Sequence, residues 1–394
     1  MHIDQLPDDC FLYIFNLFNK FGTLMNCAAV SERWKYLVLE RLNNVKYLTS
    51  EPTFSIKIHY KGIVFLSVPL TEIKTRDCFW QINLSIFLKI LDVGGTLDVD
   101  FISKLPIKGL CLLNLFHDSI VQNTFDIPSV EMLAAPNCYD FFTNDVQGPK
   151  LKQLFISHCN ISKFSSYAKH FPNLKRLHIA NFPWCAEGDQ FYTGPVLEKL
   201  EILEMIFHAT AEPDSEPHQY YGFSLADHCP ALKSAFHYIQ TGKDFYVNSG
   251  IKNNFLEDLV IEFEEDHDWS VLRRILSKYP NLKNLAIRGG GAISDENIPE
   301  LLELLPRIIL IEIMVFEKVT KKSNEYIDWY CRRNNRSISF YNYYLLRYQN
   351  RAEILAKKWP HLSSKHVRIG RGFDFMKYCF LVQYTELPML LDPC

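Results

Sequence analysis

The sequence predicts an α/β chain in three parts: a small all-α module, a strand–helix solenoid behind it, and a C-terminal cap. Three features of the sequence lead there. Leu6 to Leu37 has the apolar spacing of short packed helices, an apolar pattern then recurs in steps of 21 to 26 residues with one step of 35, and the chain beyond residue 318 leaves that period and turns basic and aromatic. The boundaries that follow are 1–42 for the helical module, 43–106 for a hinge with irregular first repeats, 107–317 for the regular repeats and 318–394 for the cap region.

Proline fits the first turn of a helix because its missing N–H would have no partner there, and acidic side chains suit the positive end of the helix dipole. Pro7-Asp8-Asp9 therefore opens the first helix, and Phe11, Ile14, Phe15 and Phe18 recur on one face at i, i+3, i+4 and i+7. Leu12 and Leu17 widen that stripe. Thr23 is placed to cap a second helix reaching Val30, and Ser31 a third reaching Leu37. So short a module cannot cover this much apolar surface by folding on itself, since small units keep a large fraction exposed. The excess requires a partner.

The order Leu6-Pro7, Ile14-Phe15, an apolar Phe18, Leu24, Val30 and Arg33-Trp34 resembles an F-box, the helical module that docks on the Skp-type adaptor of cullin-based ubiquitin ligases. Asp9 stands where that family usually has glutamate, Thr23 where it has aspartate and Ser31 where cysteine is common; the turn before Thr23 is one residue longer. Each of these side chains keeps the polarity or capping role of its site. The resemblance implies adaptor binding by Leu6, Pro7, Asp8, Ile14, Phe15, Leu17, Val30 and Trp34, some through contact and others as the module's own core, a division the letters leave open.

Between module and repeats, Ser55 to His59 alternates like a half-buried strand, and Cys78 to Leu91 has helical spacing that Gly94-Gly95 stops. The repeats themselves begin near residue 107. Leu151-x-x-Leu154-x-Ile156 returns as Leu174, Leu177, Ile179, as Leu197, Leu200, Ile202, as Leu256, Leu259, Ile261 and as Leu282, Leu285, Ile287, with weaker copies starting at 107, 130, 232 and 308. In such a unit a short strand turns its leucines inward and a return segment packs over them. Trp269 to Tyr279 predicts a return helix burying Val271, Leu272, Ile275 and Tyr279, and Ser294-Asp295 caps another that buries Ile298, Leu301, Leu302 and Leu305. Pro172, Pro230 and Pro280 stop such helices before the next strand.

This pattern resembles the leucine-rich repeats of the cysteine-containing and ribonuclease-inhibitor types, which implies a horseshoe lined on its concave side by the strand residues between the ladder leucines. That rule nominates Gln153, Phe155, Arg176, His178, Lys199, Glu201, Asp258, Val260, Asn284 and Ala286 for substrate binding. Their mixed charge names no ligand class. The step of 35 contains Ala209 to Tyr221, rich in Pro, Glu, Asp and His, which is expected to loop out. Beyond 318, Asn324 to Cys331 and Tyr344 to Trp359 have helical spacing, and Phe340, Tyr343, Tyr348, Trp359 and Phe375 suit a layer covering the last repeat.

With 48% hydrophobic and 22% charged residues the composition is that of a globular protein. A net charge of −3 argues against chain-wide affinity for nucleic acid, although residues 318–378 hold 14 Lys+Arg against 4 Asp+Glu. Lys321, Lys322, Arg332, Arg333, Lys357 and Lys358 among those aromatics are the sequence's one opening for RNA or phosphate. Eleven scattered cysteines, without CxxC pairs or zinc spacing, read as reduced thiols in cytoplasm or nucleus. The strongest apolar run, Ile308 to Phe316, is broken by Glu312 and is too short to span a membrane.

The sequence contains no HExxH, GxSxG, Walker or EF-hand pattern. Gly289-Gly290-Gly291 reads as a turn, His158-Cys159 and His228-Cys229 as core or cap residues, and Glu262, Glu264, Glu265, Asp266 and Asp268 as a solvated loop without calcium-ligand spacing. The sequence thus predicts a non-catalytic chain without metal or cofactor. Its two resemblances imply a substrate receptor that joins an SCF-type cullin-RING ligase through the Skp-type adaptor and holds an unknown protein target. A repeat scaffold without a ligase role is the alternative.

Overall fold

The structure, a computed structural model, describes residues 3–18, 20–43, 47–49, 65–67, 90–94, 109–114, 130–135, 147–157, 159–181, 191–208, 219–240, 245–289, 293–314 and 318–342. The chain divides into two compact units, residues 1–151 with 389–394 and residues 152–388.

The first unit opens with three helices, α1 (Asp8–Asn16), α2 (Phe21–Ala28) and α3 (Glu32–Asn43). Pro7 occupies the cap position of α1 with φ −58°, and Asp8 and Asp9 fill its first turn, as the dipole favours. Phe11, Phe15, Phe21, Leu24, Leu37, Val38 and Leu42 are buried and form the module's core. Trp34 closes it, its ring centroid 5.0 Å from that of Phe11 and 5.5 Å from that of Phe15. Ser31 caps α3, its Oγ accepting from the Trp34 N–H at 3.2 Å. The second helix does not start at Thr23: it begins at Phe21 with no side-chain cap. Burying a phenylalanine contributes roughly 1.5–3 kcal/mol, more than the ~1 kcal/mol of a cap, and Phe21 is buried in the first turn of this helix.

Among the described residues, five parallel strands follow, β1 (Tyr47–Thr49), β2 (Phe65–Ser67), β3 (Ile90–Gly94), β4 (Gly109–Asn114) and β5 (Met132–Ala135). They lie in the order β5-β4-β3-β1-β2. Ile90 and Leu91 therefore belong to a strand and not to the end of a helix; β3 pairs with β1 on one side and β4 on the other, and these ladder bonds outweigh a local helical spacing. The rest of the Cys78 to Leu91 segment and the Ser55 to His59 strand lie outside the described residues.

Among the described residues, the second unit is built on eight parallel strands in sequence order: β6 (Gln153–Ser157), β7 (Arg176–Asn181), β8 (Ile202–His208), β9 (Ser234–Gln240), β10 (Asp258–Phe263), β11 (Asn284–Gly289), β12 (Leu310–Met314) and β13 (Ser339–Asn342). Return helices lie between them: α4 (Ile161–Tyr167), α5 (Gly222–Ala226), α6 (Trp269–Leu276), α7 (Ile298–Leu304) and α8 (Lys321–Asn334). One register row runs Leu154, Leu177, Leu203, Ala235, Leu259, Leu285, Ile311, and the next inward row Ile156, Ile179, Met205, His237, Ile261, Ile287, Ile313. Every one of these side chains is buried. Since each strand covers only its neighbour, the core is a continuous ribbon of such rows, and the second unit is a leucine-rich-repeat α/β solenoid.

Local chemistry fixes the turns. The Asn160 side chain accepts from the Lys163 N–H at 2.7 Å and caps α4, and Ser294 with Asn297 forms a capping box ahead of α7. Ile298, Leu301, Leu302 and Leu305 are buried as their spacing predicts. In α6, Val271 stays half-buried and Leu276 takes the buried place assigned to it. Gly289 turns out of β11 at φ +62°, where a Cβ would run into the Phe263 carbonyl. The period does not break at 318: β13 pairs in parallel with β12, with Phe340 opposite Ile311, so one further strand–helix unit follows. Tyr343, Tyr348, Lys357, Lys358, Trp359, Phe375 and the Tyr344 to Trp359 helix lie outside the described residues.

Candidate functional site

The sheet face opposite the leucine ladder carries most of the nominated substrate-binding residues. Phe155, Arg176, His178, Asp258, Val260 and Ala286 are all on it and all buried, while Gln153 and Asn284 are partly exposed. Lys199 and Glu201 are not on it. Strand β8 aligns Ile202 with Arg176 and Leu203 with Leu177, so its ladder is Leu200, Leu203, Met205 and the copy read as Leu197, Leu200, Ile202 is shifted by three. Lys199 and Glu201 lie before the strand, where Lys199 meets Asn173 and Glu201 pairs with Lys233 at 2.9 Å. The face residue of this repeat that the sequence missed is Glu204, fully buried; the register Leu200-x-x-Leu203-x-Met205 would have found it.

The charged groups on this face are paired across strands. Arg176 grips Glu204 with both Nε and Nη2, at 3.1 to 3.2 Å, the bidentate geometry that suits guanidinium to carboxylate. His178 lies 3.9 Å from Glu204 and edge-on to Phe155 at 4.4 Å. Burial, with the Arg176 charge added, pushes its pKa down to about 3, so His178 is a neutral ring beside the Arg176–Glu204 pair and not a third ion. Farther along, Ser234 Oγ donates to Asp258 Oδ2 at 2.6 Å and Asn284 Nδ2 to Asp258 Oδ1 at 2.7 Å. Burial raises the Asp258 pKa against the pull of these two donors. Arg288 Nε donates to Glu312 at 3.2 Å. Such pairs tie strand to strand.

In the N-terminal module the structure separates the residues that the sequence left undivided. Phe15 is core, and Trp34 packs on Phe11 and Phe15 while its Nε1 donates to Asp4 Oδ1 at 3.2 Å. Asp8 is held by Arg33 at 2.6 Å; the same guanidinium donates to the Asp4 and Leu6 carbonyls and lies 5.0 Å over the Phe11 ring. Asp8 thus staples the start of α1 to α3. Leu6 and Ile14 are half-buried and Pro7 is exposed. Leu17 is 63% exposed and Val30 61%. Tyr13, 69% exposed and absent from the sequence nomination, joins Cys10 and Leu17 at the i, i+3, i+7 spacing of one helix face.

Cys159 and Cys229 are buried, with the Cys229 thiol pKa pushed up by desolvation. Glu264 accepts from the Tyr238 hydroxyl at 2.6 Å and Asp266 faces Lys318 at 3.8 Å, so these acids are spoken for by neighbouring repeats. His158 and Gly290-Gly291 lie outside the described residues. Among the described residues, none of the His, Cys, Asp and Glu side chains form a group of three or more placed to hold a metal, and no helix is long and apolar enough to cross a membrane.

No family model matches the chain, and no curated protein matches it. Among solved structures it is similar to the crystal structure of a TLR13–ssRNA13 complex, at 14% identity and a TM-score of 0.31 over 68% of this chain and 34% of that one. The chain thus spans about a third of the length of that structure's chain.

Proposed function

We propose that the N-terminal module docks an adaptor and that the solenoid presents a protein target, which makes the chain a substrate-recognition subunit of an SCF-type cullin-RING ubiquitin ligase. One observation carries the docking half: Tyr13, Leu17 and Val30 stand in water on a module that already has a closed core of Phe11, Phe15, Leu24 and Leu37. Nothing in the module's own folding accounts for apolar side chains at those places, whereas a helical partner would cover them. The F-box resemblance of the same segment names that partner as the Skp-type adaptor.

A receptor of this kind needs no reactive side chain. It raises the target's effective concentration beside the ligase and orients it, and both effects accelerate transfer without new bond chemistry. The test is adaptor pull-down by the full-length chain carrying Leu17→Asp and Val30→Asp. Both positions are exposed, so the fold should persist while binding is lost; undiminished pull-down would overturn the reading and leave a repeat scaffold without a ligase role.

A further inference from the structure

The nominated sheet face is closed by its own ion pairs, but the rim where the strands begin is open. A groove of about 500 Å³ runs along it, lined in part by Glu198, Pro230, Asn254, Phe255, Asn281 and Arg307. These residues come from the segments leading into β8, β9, β10, β11 and β12, one repeat after another. Four steps of strand spacing at about 4.8 Å make roughly 19 Å, the reach of an extended chain of about six residues.

The charge along the groove is ordered. In its middle the charges cancel on site, Lys233 with Glu201 at 2.9 Å and Lys283 with Glu257 at 2.7 Å. At its two ends Glu198 and Arg307 are exposed, and neither has an ion-pair partner among the described residues. Between them Phe255 leaves 66% of its surface in water, and Pro230 of the same lining is exposed. Asn281 Nδ2 donates to the Asn254 carbonyl at 2.9 Å and ties the two neighbouring turns of the wall together. A groove with one acidic end, one basic end and an aromatic ring left in water between them is complementary to one kind of occupant.

We propose that this rim groove binds an extended peptide segment of a partner protein, about six residues long, with an apolar side chain on Phe255, a basic residue at Glu198 and an acidic residue at Arg307. In the receptor reading this segment belongs to the target, so the proposal deepens that reading while depending only on the second unit. The neutralised middle makes the groove indifferent to polar residues there, and the charged ends set the order of the occupant.

The full-length chain is applied to an array of hexapeptides with a central Leu, Phe or Met and with end charges that are opposite, both acidic, both basic or absent. The opposite-charge set should retain the chain best. Phe255→Ala should weaken retention about tenfold across that set, as loss of a central aromatic contact does. Arg307→Glu should move the preference to peptides basic at both ends, and Glu198→Lys to peptides acidic at both ends, with circular dichroism unchanged since all three positions are exposed. Retention indifferent to end charge, retention unchanged in the three variants, or none at all overturns the proposal. So does a self-dimer in sedimentation that Phe255→Ala dissolves without affecting peptide retention, which would give the groove to a second copy of the chain. The variant with Leu17→Asp and Val30→Asp should keep peptide retention, so a failure of adaptor docking stays distinguishable from a failure of the groove.

Discussion

Glu204 carries no exposed surface, and its carboxylate holds a guanidinium that is nearly as buried. The desolvation of two such charges offsets most of their attraction, so the intact pair adds little net stability, yet removing one member strands the charge of the other. Glu204→Ala should therefore destabilise the second unit by about 3–5 kcal/mol in urea unfolding, and Arg176→Met combined with Glu204→Leu should restore most of that loss. Lys199→Ala and Glu201→Ala, at exposed contacts ahead of the strand, should each shift stability by less than about 1 kcal/mol. Equal costs at all of these sites would contradict the β8 register. Asp8 teaches the same lesson in the other unit. The sequence nominates it for adaptor binding, and its place opposite Arg33 also makes it a clamp between helices.

Where the sequence pattern was strong, the elements followed it. The rows Leu154, Leu177 and Leu259, Leu285 are read directly from Leu-x-x-Leu-x-Ile because a short strand against a return segment offers only one way to bury three apolar residues at that spacing. The repeat of β8 escaped for a physical reason. Leu197, Leu200 and Leu203 are all buried, so two frames fit the letters equally, and pairing with β7 and β9 decides between them. The end of the 209–221 insertion was likewise hidden: Tyr220 looks like loop composition but is fully buried, its hydroxyl 2.5 Å from His237 Nδ1. The excess apolar surface of the helical module was legible in the sequence, whereas the rim groove was not, because its lining is gathered one to three residues at a time from five repeats. The turn read at the glycines from 289 holds at Gly289, which sets a further test. Gly289→Ala places a Cβ at φ +62° against the Phe263 carbonyl and should cost more than about 1 kcal/mol in urea unfolding, as left-handed strain does. A neutral result would mean that the turn relaxes.

Among the described residues, two histidines that folding buries uncharged weaken the chain against acid. His178 and His237 both have pKa values pushed down to about 3 by burial, against an ordinary 6.5. Between those values the unfolded chain binds a proton at each ring that the folded chain refuses, so stability falls as pH falls below 6.5. By pH 5 that amounts to about 2 kcal/mol for each histidine. Asp227 and Asp258 act in the opposite direction, since burial raises their folded pKa and protonating them favours the native state, offsetting part of the loss. Asp295, held by Ser323 and Thr320 with its pKa lowered, adds a loss of its own only at lower pH, below the ordinary carboxylate value. The check is urea unfolding of the full chain at pH 7 and pH 5, with His237→Gln beside it. Glutamine keeps a polar partner for the Tyr220 hydroxyl and cannot titrate, so this variant should start weaker at pH 7 and lose about 2 kcal/mol less than the parent on acidification. A variant that loses as much as the parent would mean that His237 takes up its proton in the folded state, and that the row it occupies opens to water before the solenoid unfolds.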